Sequence, residues 1–268
     1  MSALVRNNVR VKGAGATPLI FAHGFGFDQG MWRYVAPSFE ADYRVVLYDN
    51  VGAGGSDLSA HSRSRHASLD GYADDLLDIC RELDLRACVF VGHSVSSMIG
   101  ILAAIKEPER FDRLVLIAPS PRYIDEEGYV GGFTQADIDD VLGLIDSNFI
   151  GWSNMLGPTI MGNPDRPELG VELTSSFSRS NTEIAQHFAR VTFLSDCRAE
   201  LPKLTRPSLI LQCSQDIIAP AAVGEYLHRN LASSRLVKMA ATGHCPNLSA
   251  PEETIAAIRS FLPVQHQA

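Results

Sequence analysis

The sequence predicts an α/β fold: a mostly parallel central sheet flanked by helices, with a helical insertion between two of the strands. Three observations predict it. Short β-branched and apolar runs alternate with longer segments of helical periodicity, the rhythm of repeated βαβ units. Residues 113–118 read Arg-Leu-Val-Leu-Ile-Ala, a near-continuous apolar run that suits a parallel strand covered on both faces. From residue 122 to 196 the rhythm pauses, and helices with loop breaks take its place before it resumes.

Taken in order, residues 9–11 and 18–22 read as early strands, separated by the turn signal Gly13-Ala14-Gly15. Residues 44–48, Arg-Val-Val-Leu-Tyr, form another β-branched run. Leu69, Tyr72, Leu76, Leu77, Ile79 and Leu83 recur at threes and fours, which predicts an amphipathic helix. Residues 87–91 form a short apolar strand, and 97–105 a helix behind it. Residues 122–196 predict helices broken at Gly131-Gly132, Gly157-Pro158 and Gly162-Asn163-Pro164. A strand at 208–213, a helix near 222–230, a strand at 235–239 and a helix at 252–261 complete the pattern. The expected organisation is a core of residues 1–121 and 197–268, with 122–196 as a lid insertion.

Between the strand ending at Val91 and its helix lies Gly92-His93-Ser94-Val95-Ser96. A serine at the tip of a sharp strand-to-helix turn is held clear of its own backbone, and the helix N-terminus behind it favours developing negative charge. A serine hydroxyl is a poor nucleophile until a histidine takes its proton and an acid orients that histidine. On sheets of this type the partners follow in the order serine, acid, histidine at strand C-terminal ends. Asp216, in the turn after residues 208–213, and His244, after 235–239, fit that order. Asp49 and Asp196 are the competing acids; Asp49 precedes the serine and Asp196 precedes the relevant strand. An oxyanion needs two backbone donors. Val95 N–H is one, and Phe25 N–H, in the loop His23-Gly24-Phe25-Gly26, is the other.

Other function classes recede. The chain has 268 residues, 46% hydrophobic and 20% charged, and a net charge of −8, which argues against a nucleic-acid surface or a polybasic membrane patch. No apolar run approaches the ~20 residues of a membrane span. The N-terminal residues lack an apolar h-region, which predicts no secretory signal. The five cysteines show no Cys-x-x-Cys spacing, so reduced thiols in a cytoplasmic protein are expected, with Cys245 a packing residue beside His244. Gly52-Ala53-Gly54-Gly55-Ser56 departs from the dinucleotide pattern at Asp57 and lacks a phosphate-binding lysine. No cofactor and no metal are therefore expected. The inserted segment carries Phe133, Trp152 and Phe193, candidates for a pocket wall above the serine, since ligand sites are mostly apolar.

Together these residues resemble the α/β-hydrolases, and among them the RsbQ-like bacterial hydrolases that act in activation of the general stress sigma factor. The plant strigolactone and karrikin receptors are relatives of that branch. The resemblance covers nearly the whole chain. It rests on residues 23–29 (His-Gly-Phe-Gly-Phe-Asp-Gln), Gly92-His93-Ser94-Val95, Pro119-Ser120-Pro121-Arg122-Tyr123, Gly131-Gly132-Phe133, Ile150-Gly151-Trp152, Ser195-Asp196 and Gly243-His244-Cys245-Pro246. Arg166-Pro167-Glu168 and residues 207–213 look more like the bacterial branch. The resemblance implies an α/β-hydrolase fold and a Ser94–Asp216–His244 triad in a closed hydrophobic cavity beneath a four-helix lid. It also implies that Phe25, Phe133, Trp152 and Ser195 line or border that cavity. In the bacterial branch the hydrolase acts with a phosphatase carrying a PAS domain; the plant receptors slowly hydrolyse a butenolide and then recruit partners. Ser96 departs from the general hydrolase pattern, which has glycine there, although the plant relatives share the serine.

The expected function is hydrolysis of a small hydrophobic ester or lactone, linked to stress signalling. Two alternatives stand beside it: a ligand-gated signalling protein whose output is partner binding through the lid, and a stand-alone catabolic esterase.

Overall fold

The computed structural model describes residues 1–262. Its sheet has seven strands in the order β1-β3-β2-β4-β5-β6-β7. They are β1 (Arg10–Lys12), β2 (Pro18–Ala22), β3 (Arg44–Tyr48), β4 (Cys88–His93), β5 (Phe111–Ile117), β6 (Ser208–Gln212) and β7 (Ser234–Lys238). Among the named strands of the described residues, β1 pairs antiparallel with β3 and the other pairings are parallel. Arg10 and Lys12 stand exposed on that edge strand, where charge discourages pairing with another chain.

The apolar strands work because successive side chains point to opposite faces. Leu19, Phe21, Val45, Leu47, Val89, Val91, Val115, Ile117, Leu209 and Leu211 join one core. Their neighbours Ile20, Ala22, Val46, Tyr48, Phe90, Leu114, Leu116 and Ile210 join the other. The second core is closed by α2 (Leu69–Glu82), α3 (Val95–Lys106) and α7 (Ala221–Asn230). The first takes in α9 (Pro251–Arg259) and the helices inserted between β5 and β6. Two single-turn helices, α1 (Ala3–Arg6) and α8 (Pro246–Ser249), complete the set named here.

The inserted helices are α4 (Gln135–Met161), α5 (Pro167–Ser178) and α6 (Thr182–Phe193). Thr134 opens α4 with a capping box to Asp137, which satisfies two orphan amides. At Asn148 the backbone leaves the helix (φ −153°, ψ 72°), and the Asn148 Oδ1 accepts from Gly151 N–H at 2.9 Å. Asn148 thus caps a second helical run within α4, so the insertion holds four runs. This differs from the expected break at Gly157-Pro158. Pro158 lies inside α4, where helix packing outweighs its missing amide. The break falls at an asparagine instead.

Candidate active site

Ser94 sits between β4 and α3 with φ 55° and ψ −125°. A non-glycine residue with positive φ is strained and persists only where its surroundings impose it. Ser94 N–H donates to the Ile117 carbonyl at 2.8 Å, anchoring the turn to β5. The α3 run behind it is buried almost throughout.

The loops after β6 and β7 are zipped together. Ser214 N–H donates to the Ala241 carbonyl at 2.9 Å, and Gly243 N–H to the Gln215 carbonyl at 2.7 Å. This pairing carries the sheet register past the strand ends and sets Asp216 beside His244. The His244 Nδ1 lies 2.8 Å from the Asp216 Oδ2. The His244 Nε2 lies 2.8 Å from the Ser94 Oγ. The other Asp216 oxygen accepts from Ile218 N–H at 2.8 Å and Ala219 N–H at 3.1 Å. Burial disfavours the Asp216 carboxylate, but the His244 ring and these two amides outweigh it and hold its pKa below the ordinary carboxylate range. With Nδ1–H held by a carboxylate, Nε2 is left to accept a proton from the serine.

Both competing acids are engaged elsewhere. Asp49 accepts from Gln29 N–H and Gly55 N–H. Asp196 pairs with Arg198.

The Phe25 and Val95 amides donate no hydrogen bond within the protein among the described residues, the state a donor pair needs if it is to receive an oxyanion. The loop around Phe25 turns at Gly26, whose φ is +79° and where a Cβ would come within 2.1 Å of the Phe177 ring. Ser96, in place of the usual glycine, is fully buried and donates to the His23 carbonyl at 2.5 Å. His23 in turn donates from Nδ1 to its neighbour's carbonyl and accepts at Nε2 from Asn50 N–H.

A cavity of about 340 Å³ opens onto Ser94 and His244, with walls that are chiefly apolar. Phe25, Phe133, Trp152 and Phe193 line it. The Phe25 ring packs against Trp152, Phe177, Phe188 and Phe193 at centroid distances of 5.3–6.2 Å. The loop carrying one candidate oxyanion donor is thereby built into the inserted helices. Ser195 is not part of this wall. It follows the C-terminus of α6, its hydroxyl turns back to the Thr192 carbonyl at 2.7 Å, and it borders a separate surface depression. Thr192, one turn earlier, faces the cavity in its stead.

Tyr123, Phe177 and Ile218 also line the cavity and were not singled out as wall residues from sequence. Tyr123 lies in a post-strand loop whose course local periodicity does not reveal. Two polar groups of the wall, Trp152 Nε1 and Thr192 Oγ1, are buried without a hydrogen-bond partner among the described residues. Cys245 is buried against the cavity; burial pushes its thiol well above the ordinary value, which suits a packing role. Among the described residues no group of His, Cys, Asp or Glu side chains is arranged to hold a metal ion. No helix among them is long and apolar enough to cross a membrane.

Comparison with known proteins agrees with this architecture. The model of the family described as "Alpha/beta hydrolase family" matches residues 19–257. The karrikin insensitive 2 receptor IA of Petunia hybrida is 41% identical over 92% of this chain and 90% of its own length. The strigolactone esterase D14 of Arabidopsis thaliana is 40% identical over 96% of each. Among solved structures, a hydrolase from Oleispira antarctica superposes with a TM-score of 0.94 at 38% identity, covering 97% of this chain and 95% of that one.

Proposed function

We propose, on the premise that the chain belongs to the alpha/beta hydrolase family and is a hydrolase acting on esters, that it is an RsbQ-like serine hydrolase of a small, mostly apolar ester or lactone. The observation that carries this reading is the pair of 2.8 Å contacts linking Ser94, His244 and Asp216 at the floor of the apolar cavity.

In this mechanism the Ser94 Oγ attacks the carbonyl carbon while His244 Nε2 takes its proton. The Phe25 and Val95 N–H groups hold the oxyanion. The C–O bond to the leaving alkoxide then breaks, and His244 returns the proton to that oxygen. Water attacks the acyl-serine with His244 again as base, releasing the carboxylic acid and restoring Ser94. Asp216 keeps the imidazole in the Nδ1–H tautomer and stabilises its cation. The unpartnered Trp152 N–H and Thr192 hydroxyl support a substrate carrying a further oxygen outside the scissile ester or lactone group.

The test is turnover of p-nitrophenyl acetate by wild type and Ser94→Ala. Loss of nearly all turnover in the variant is expected, and equal rates would overturn the serine mechanism.

A second reading follows from the aromatic contacts of Phe25 with the inserted helices and from relatives named as receptors. In it, occupancy of the cavity alters the lid, and the output is partner binding, in the bacterial branch to a PAS-domain phosphatase. Hydrogen exchange in α4–α6 of Ser94→Ala, with and without a butenolide ester, tests it; unchanged protection would sink it. Rapid saturable turnover of one metabolite would instead favour a stand-alone catabolic esterase. The five buried, unpaired thiols support a cytoplasmic setting.

A further inference from the structure

The peptide group of His244 is held from both sides. Its N–H donates to the Ile160 carbonyl at 2.9 Å, in the last turn of α4. That carbonyl is open because the residue four further on, Pro164, has no N–H to give it. Its own carbonyl oxygen accepts from the Nε2 of His93 at 2.8 Å. A carbonyl cannot donate, so this contact requires the Nε2–H tautomer of His93.

His93 is 1% exposed. Its ring packs on the His244 ring at a centroid distance of 5.0 Å. On the opposite edge it meets Gly24, where a Cβ would come within 2.5 Å of Nδ1. That Nδ1 has no hydrogen-bond partner among the described residues, which costs free energy that an apolar side chain would not incur. Packing alone therefore gives no reason for an imidazole here. Among the described residues, its one hydrogen bond is to the backbone carbonyl of His244. Burial, followed by the nearby His244 charge, pushes its pKa down to about 3, so the ring stays an uncharged donor over the working range.

We propose that His93 is the positioning residue of His244: its Nε2–H clamps the His244 carbonyl against the Ile160 bond on the other side, and so keeps the His244 Nε2 on the Ser94 hydroxyl. The proposal rests on the reading of Ser94 and His244 as the reacting pair.

The test is steady-state hydrolysis of p-nitrophenyl butyrate by wild type, Ser94→Ala, His93→Leu and His93→Gln, with thermal melts of each. His93→Leu is expected to lower kcat about 10- to 100-fold while KM moves by less than about twofold, since a small displacement of a reacting group has that effect. His93→Gln, which keeps an N–H at similar reach, is expected to recover most of kcat. A folded His93→Leu with wild-type kcat, or equal impairment in Leu and Gln, would overturn the proposal alone. Full turnover by Ser94→Ala would overturn the serine reading itself. A second measurement needs no variant: nitrogen-15 spectra of the wild-type histidines should show His93 as a non-titrating Nε2–H tautomer from about pH 5 to 8. A Nδ1–H tautomer or a titrating His93 would refute the clamp whether or not the variants fold.

Discussion

The Ser96 hydroxyl donates to the His23 carbonyl at 2.5 Å, tying the helix behind the elbow to the loop that carries the Phe25 amide. Ser96→Ala removes this tie, while the His23 carbonyl keeps its contact with the Asn50 side chain. The expected loss is about 1 kcal/mol of stability, read as a lower denaturant midpoint at unchanged slope. A fall in kcat with little change in KM should accompany it if the Phe25 amide serves as the proposed oxyanion donor, because that loop is loosened rather than the substrate wall. An unchanged midpoint would show that the bond contributes nothing.

Asp216→Asn replaces a charged acceptor with an amide at a buried position that also receives two backbone N–H groups. An amide nitrogen turned toward Nδ1 selects the wrong imidazole tautomer. The expected fall in kcat is about 10³- to 10⁴-fold, by analogy with the serine protease acid. Single-turnover acylation of Ser94 measures it directly, and a loss below tenfold would assign the orienting role to another group.

Trp152→Phe keeps an aromatic wall but deletes the unpartnered indole N–H. Esters with a further oxygen outside the scissile ester group should lose affinity by about 1–2 kcal/mol, while simple alkanoate esters should be nearly unaffected. The ratio of kcat/KM for the two substrate types is the measurement. Equal effects on both would mean that the N–H does not meet the substrate.

Stability should fall on mild acidification, and His93 should account for part of the slope. In the folded chain its pKa is pushed down to about 3, against about 6.5 unfolded. Between those values the unfolded chain binds a proton that the folded chain refuses. Its contribution is thus complete above about pH 6.5 and lost toward pH 3, at up to about 1.4 kcal/mol per pH unit. His93→Gln should make the slope of unfolding free energy between pH 6 and 4 shallower by about one proton. An unaltered slope would mean that His93 takes up its proton in the native state.

Much of this architecture is legible in local pattern. The apolar runs at 18–22 and 44–48 become β2 and β3 over those residues, because short apolar runs between turn signals suit strands buried on both faces. The spacing of Leu69, Tyr72 and Leu76 becomes α2. The order Ser94, Asp216, His244 is legible because topology dictates where loops at strand ends can meet. Less legible is the break at Asn148, an N-cap whose Oδ1 accepts from Gly151 N–H three residues on. Pro158 is a breaker signal that the packing of α4 overrides.

By itself the sequence determined the short apolar strands, the position of Ser94 between a strand and a helix, and the chain order of Asp216 and His244, since each depends on one short segment or on chain order. Only the tertiary structure decided that Thr192 rather than Ser195 faces the cavity, because the helix end sets which side chain turns inward. It alone decided that His93 meets the His244 carbonyl across 151 positions, and that Ser96 binds the loop at His23. Those contacts depend on how separate loops pack against one another, and no local period or propensity encodes that packing.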